Sequence, residues 1–460
     1  MLVTELTARE IARRAQGRVE GDGDVAADTW AFDSRALGRG DCFVALQGDR
    51  DGHDFVGAAF DAGAAIAVVD HSFDGSRFVH PGRALVHVGD PLTALQDVAR
   101  TLRHDRGDLH VIAVGGSTGK TSTKDLLAAV LASQGCYANA ESYNNEFGLP
   151  MTLCNTPDAA RVLVAEMGER FAGDLAALCD IARPETGVVT NAGLAHAEHL
   201  GGPQGVVAVL SELLDALPGH GTAVLNADDP ASPQLASTTS ARVVTVGTDA
   251  GADYRIADVT VDARLRPSFA LRGTRFSVPL HGEHHVANAA MAVAVAHHVF
   301  GLPLDELALE LRSARPGRWR MELLETPRGV TILNDSYNAN PTSMEAALVA
   351  LHRYAVPDGA RRVAVLGDMR ELGAHHDDAH REAGERAAAL GVDLVVGVGA
   401  GGASIAEAAR AAGANVLAAA DAEGAVALVA PLVHPGDAVL VKGSRAVGLE
   451  RLAAALVDES

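Results

Sequence analysis

A three-domain α/β architecture is predicted by three features of this 460-residue chain. An apolar β-branched run, Val111-Ile-Ala-Val114, feeds the glycine-rich turn Gly115-Gly-Ser-Thr-Gly119, and an apolar helical stretch then starts at Lys120. Strand-like and helix-like runs alternate beyond that turn, the pattern of a mostly parallel sheet covered on both faces. The chain is also too long for one hydrophobic core, because cores stop growing beyond about 250–300 residues. Polar breaks at Arg103-His-Asp-Arg-Gly-Asp108 and Arg315-Pro-Gly317 set the expected boundaries. Residues 1–107 form a mixed α/β domain, 108–314 a central parallel-sheet domain carrying the turn, and 315–460 a Rossmann-like domain.

The elements follow in order. In the first domain, residues 42–46 and 64–69 read as strands and 55–62 as a short helix. In the central domain, strands are expected at 161–165, 187–190, 222–225 and 242–246, and residues 253–281 read as antiparallel strands inserted or appended. The third domain shows βα-like units with strands near 329–334, 361–366 and 393–398, and a last strand at 438–441. Its alanine-rich helices span 403–412 and 446–455.

Composition excludes several classes. A net charge of −21 argues against a general nucleic-acid or anionic-membrane binder, so contacts to an anionic ligand must be local. Of the 38 basic residues only Lys120, Lys124 and Lys442 are lysines, and two of these lie at the glycine-rich turn. Arginine does not replace a compact ammonium at a phosphate. The four cysteines show no metal-ligand spacing and read as buried free thiols. The charged N-terminus is no secretory signal, and no apolar run of about twenty residues occurs, so a cytoplasmic protein is expected.

The turn carries the first chemistry. Small residues let the backbone N–H groups of Gly116, Ser117, Thr118, Gly119, Lys120, Thr121 and Ser122 close around phosphate oxygens, and the helix N-terminus adds partial positive charge. Lys120 reaches the β- and γ-phosphates and the Thr121 hydroxyl ligates Mg²⁺, which implies a nucleoside triphosphate. The loop lacks the first glycine of the full motif, since Val114 stands there. Glu166 follows the strand at 161–165, placed to bind the metal or, equally on position, to cap a helix. Asn191 and His196 follow the strand at 187–190, although a lone histidine is more often structural. Asn226-Ala-Asp-Asp-Pro230 reads equally well as an Asx turn. In the third domain, Arg318 is a candidate to neutralise a transferring phosphoryl group, and Asp335 to accept from ribose hydroxyls.

Together these motifs resemble the Mur ligase family over essentially the whole chain, most closely its members that add D-alanyl-D-alanine to a UDP-muramoyl tripeptide. The resemblance rests on Asp33-Ser-Arg35, Gly40 to Gly48 and Asp51 to Phe55 in the first domain. The central domain contributes the short phosphate loop, Tyr143 to Pro150, Glu166, Asn191 to His196, Asn226 to Pro230 and Gly282 to Asn288. The third contributes Gly317-Arg318, Asn334 to Pro341, Val365 to Gly373 and Val441 to Arg445. It implies an ATP- and Mg²⁺-dependent amide ligase working through an acyl phosphate. Lys120, His196 and Arg318 would be catalytic, and Thr121, Glu166 and His196 would face the metals. Asn288 would approach adenine and Asp335 ribose. Ser34, Arg35, Gln47, Gly48, His53, Asn144, Asn145 and Asn338 would contact the UDP-linked peptide or its dipeptide partner. A monomer is implied.

One departure stands out. The family places a lysine, carbamylated to help hold a second Mg²⁺, in the helix after His196, and this chain has Leu210 there. Leu210 falls on an apolar stripe with Val206, Leu213, Leu214 and Leu217, which is the pattern of core packing. Glu198 and Glu212 are the nearby acids that compensation would call on, although Glu212 should point elsewhere on the helix. Smaller departures are Gly115, where threonine is frequent, and His285, where asparagine is frequent. Beside the main reading stand two others: a related ligase joining a different acid and amine, and a catalytically weak nucleotide-binding partner protein.

Overall fold

The computed structural model describes residues 3–139, 142–193, 197–315 and 317–458. Pro316, within the second expected boundary, lies outside them. Three larger sheets follow one another along the chain.

The first has five strands in the order Arg18–Gly21, Ala84–Val88, Ile66–Asp70, Cys42–Val44 and Trp30–Ala31. Only the Arg18–Gly21 edge pairs antiparallel. The helix at 55–62 starts as a 3₁₀ turn, Gly52–Phe55, before Val56–Ala62 becomes α-helical.

The central sheet has nine strands, and its parallel part positions the site. His110–Gly115 lies between Thr186–Val189 on one side and Val162–Glu166 on the other, all three parallel. Strand order reverses around this strand, so the loops leaving the carboxyl ends open into one crevice, where α/β sheets bind ligands. Glu166 was expected just beyond its strand; it is the last strand residue, paired with Val114. The register explains the difference, because the ladder runs one residue further than the apolar run.

Residues 253–281 extend this sheet. Tyr254–Val261 pairs parallel with Arg242–Gly247, and Pro267–Leu271 and Thr274–Ser277 continue it antiparallel. Helices Pro91–Asp105 and Pro203–Asp215 bury their apolar stripes in one core, while Lys120–Val130 and His285–Phe300 belong to another.

The last sheet runs Glu322–Glu325, Thr331–Asp335, Ala438–Lys442, Arg362–Gly367, Leu394–Val398 and Val416–Ala419. Its two outer strands escaped the sequence reading. Glu322–Glu325 alternates weakly and pairs antiparallel, and Val416–Ala419 is a four-residue edge. All four cysteines are free, and burial pushes the Cys136 and Cys179 thiols up to about 12. No helix among the described residues is long and apolar enough to cross a membrane.

Candidate active site

The loop after His110–Gly115 is held from the neighbouring strand's end. Thr190 Oγ1 donates to the Thr118 carbonyl at 2.6 Å, and the Asn191 amide nitrogen donates to it at 3.0 Å. Asn191 Oδ1 accepts from the Thr118 N–H at 3.1 Å, and Ser117 Oγ donates to the Gly193 carbonyl at 2.9 Å. Two glycines are required here. Gly116 has φ +127°, and a Cβ would sit 2.2 Å from Thr190 Oγ1; Gly119 has φ +79°, with Asn288 Oδ1 at 2.7 Å. The helix Lys120–Val130 then starts with no side-chain cap, leaving its N-terminal donors for a ligand. They face a cleft of about 1180 Å³ that Ser117 to Ser122 line together with Glu166, Asn288 and residues from the last sheet.

Two buried acids border the loop. Glu166 is 2% exposed; its Oε1 accepts from the Asn144 amide at 2.7 Å, while its Oε2 has no hydrogen-bond partner. Asn144, expected on substrate, lines the cleft but spends its amide orienting Glu166. Asn145 also lines it, with its Oδ1 accepting from the Gly148 N–H. Glu169, which the sequence reading passed over, is equally buried and lies 3.5 Å from the Lys120 ammonium. Burial pushes the Glu169 carboxyl up, and the Lys120 charge opposes that. Lys120 also donates to the Gly116 carbonyl, so it is folded back over the loop.

From the last sheet, Asp335 and Lys442 end adjacent parallel strands in register and pair at 2.5 Å. Asp335 was read as a ribose acceptor. Both of its oxygens are already engaged, since Oδ1 accepts from the Met321 N–H at 3.0 Å, although the residue does line the cleft. Asn338 lines it too, and its carbonyl accepts from Lys442 at 3.0 Å. Arg318 does not reach the cleft: it is exposed, its guanidinium 5.0 Å from the Trp319 ring. Arg320 lines the cleft in its place, 4.0 Å from the Tyr337 ring, with Nη2 donating to Ser142 Oγ at 3.3 Å. Asn340 caps the helix Pro341–Arg353 and extends its amide to the Ser117 carbonyl at 3.5 Å, joining the two parts across the cleft. His196 lies outside the described residues.

Ser34, Arg35, Gln47, Gly48 and His53 lie away from this cleft's lining, to which the first domain contributes Gln96 and Arg100. Ser34 is half-buried, and Gln47 and Gly48 are exposed. His53 was read as a ligand contact, but both ring nitrogens serve the fold: Nδ1 meets Asp51 at 2.6 Å and Nε2 accepts from the Asp70 N–H at 3.0 Å. Arg35 forks onto Asp33, with Nη2–Oδ2 at 2.6 Å, and these bonds hold the Asp33 carboxyl down at about 2 from its ordinary 3.8. A depressed carboxyl stabilises the fold above its unfolded pKa and loses that contribution as pH falls through the folded one. The window is therefore pH 3.8 down to about 2. Carbon-detected NMR should show Asp33 titrating near 2, and Arg35→Ala should move it back towards 3.8. An unchanged value in the variant would refute the pairing.

Leu210 is fully buried and faces the loop's base: a Cβ on Gly115 would lie 3.7 Å from Leu210 Cδ2 and 3.2 Å from Leu213 Cδ1. Core packing is the reading that holds. Glu212 caps the helix Asp174–Ala182, accepting from the Gly173 and Ala176 N–H groups at 2.7 and 3.1 Å, and Glu198 is exposed. Neither takes the place of a ligand at position 210.

A glycine-framed phosphate loop on a parallel sheet, with buried acids beside it and a second doubly wound sheet across the cleft, defines a phosphate-loop nucleotide-binding protein. The chain belongs to the Mur ligase family: residues 114–296 match the Mur ligase middle domain and 319–445 the Mur ligase glutamate ligase domain. It is 38% identical to the UDP-N-acetylmuramoyl-tripeptide–D-alanyl-D-alanine ligase of Mycobacterium tuberculosis H37Rv, over 99% of this chain and 98% of that protein. The corresponding Bacillus subtilis 168 ligase is 34% identical over 93% of each. Among solved structures, MurF from Acinetobacter baumannii superimposes with a TM-score of 0.87 at 27% identity, covering 100% of both chains. Thermotoga maritima MurF in complex with ADP gives 0.78 at 28% identity, over 94% of this chain and 98% of that one.

Proposed function

We propose that this chain is an ATP-dependent ligase that joins D-alanyl-D-alanine to UDP-N-acetylmuramoyl-tripeptide in peptidoglycan precursor synthesis. The observation that carries this reading is full-length similarity to ligases of that activity together with a glycine-framed phosphate loop in a shared cleft. On it, residues 1–107 hold the UDP end, 108–314 the nucleotide, and 315–460 the dipeptide side.

In the first step a carboxylate oxygen of the tripeptide attacks the γ-phosphorus, and the β,γ-bridging oxygen leaves with ADP. In the second the dipeptide amine attacks the acyl carbon, phosphate departs, and the nitrogen loses a proton. The uncapped N–H groups from Gly119 onward bind the phosphates, and Lys120 swings from the Gly116 carbonyl to the transferring phosphoryl group. Asn288, against Gly119, borders the adenine, and Asp335 retains lone pairs for the ribose. Arg320, projecting into the cleft, takes up charge from the last sheet's side; Arg318 requires rotation off Trp319 to do so.

The residues present fit Mg²⁺. Glu166 offers an oxygen that is buried and unpartnered, a state that costs free energy until a cation or donor arrives, and Thr121 lines the same cleft. Thr121 and Glu166 would hold the ion, which when bound supplies charge neutralisation at the phosphates. A metal role for His196 rests on its place in the family motif.

ADP release should require ATP, UDP-N-acetylmuramoyl-tripeptide and D-alanyl-D-alanine together. Turnover with another acid–amine pair and none with this one would overturn the substrate assignment. Nucleotide binding without turnover for any pair would overturn the ligase reading.

A further inference from the structure

Glu166 and Glu169 differ from four other acids on the cleft wall. Asp174 accepts from the Arg170 and Phe171 N–H groups, Asp228 from Thr248, Asp229 from Ala192 and Ala231, and Asp335 pairs with Lys442. Those four already have partners within the fold. Glu166 Oε2 and Glu169 Oε2 are buried, and both residues line the cleft; among the described residues neither atom accepts a hydrogen bond, and Glu169 has the Lys120 ammonium at ion-pair distance.

That ion pair cannot serve two masters. When Lys120 turns to a triphosphate, Glu169 loses that counter-charge while several negative charges enter beside it. Two buried carboxylates and a polyphosphate then share one end of the cleft, and divalent cations entering with the nucleotide offset that charge. The helix Pro203–Asp215 offers no free carboxylate to this end of the cleft. Leu210 presents hydrocarbon to the base of the loop, and Glu212 is occupied in capping a helix.

We propose that Glu169 is a metal-ligating residue, which with Glu166 holds a second divalent cation of the magnesium class beside the phosphate loop. The proposal rests on the nucleotide-binding reading above and adds to it a carboxylate ligand of the second ion. Two carboxylates and phosphate oxygens form the hard, all-oxygen donor set such ions take. Glu169 thus supplies, from the loop after Val162–Glu166, the carboxylate that the helix carrying Leu210 does not.

The test counts ions directly. Mn²⁺ binding to the full-length chain is titrated by electron paramagnetic resonance with saturating β,γ-imido-ATP, for the native chain, Glu169→Gln and Glu169→Asp. Two Mn²⁺ per native chain are expected. Glu169→Gln should retain one and weaken the other about tenfold or more, with Glu169→Asp intermediate. Binding of the imido nucleotide in EDTA should be unchanged or tighter in Glu169→Gln, because Lys120 is released. One Mn²⁺ on the native chain, or two of unchanged affinity on Glu169→Gln, would overturn the proposal while leaving nucleotide binding intact. A native chain that binds no imido nucleotide would overturn both.

Discussion

Lys120→Met should lower kcat for ligation about 10²- to 10³-fold, the usual loss when one donor to a developing anion is removed. The ammonium reaches the Gly116 carbonyl and Glu169 from the first turn of a helix whose N-terminus is uncapped, so a short rotation brings it over the phosphates. Methionine keeps the length and removes the charge. The remaining backbone donors still bind ADP, so ADP affinity measured by calorimetry should fall far less than kcat. A kcat within threefold of the native value would mean that Lys120 remains on Glu169 during catalysis.

Asp335→Ala should destabilise the chain by about 3–5 kcal/mol, the cost of leaving a buried charge without its partner. The Lys442 side chain is 1% exposed, and without Asp335 its ammonium keeps only the Asn338 carbonyl. The Met321 N–H loses its acceptor as well. Urea unfolding followed by circular dichroism measures the loss. Adding Lys442→Met to Asp335→Leu should recover much of it, because two apolar groups of similar volume leave no charge stranded. A loss below about 1 kcal/mol, the range of an exposed pair, would contradict the buried-pair reading.

What the sequence disclosed follows from how local each signal is. The phosphate loop is written in contiguous residues, and its glycines, lysine and threonine keep their meaning wherever the strand lies. Glu166 was legible because it ends an apolar run, and only its place on the ladder was off by one. Glu169 was not, since nothing in Glu166-Met-Gly-Glu169 says that the chain turns to bury a second acid against Lys120.

Arg318 and Arg320 show another limit. Trp319 and Met321 adopt φ of +59° and +50°, which reverses the side-chain directions that spacing implies. Arg318 consequently packs on Trp319, which Arg445 approaches as well, and Arg320 faces the cleft. His53 and Asn144 were read as substrate contacts, and in the structure their partners are other residues of the fold. Partners from distant segments cannot be read from residue type.

The most direct measurement of the central claim follows one oxygen atom. UDP-N-acetylmuramoyl-tripeptide labelled with oxygen-18 in its terminal carboxylate is incubated with ATP and D-alanyl-D-alanine, and the phosphate released is analysed by mass spectrometry. Ligation through an acyl phosphate transfers one labelled oxygen to each phosphate, with the amide product formed in equal amount. Unlabelled phosphate accompanying ADP release would contradict the account.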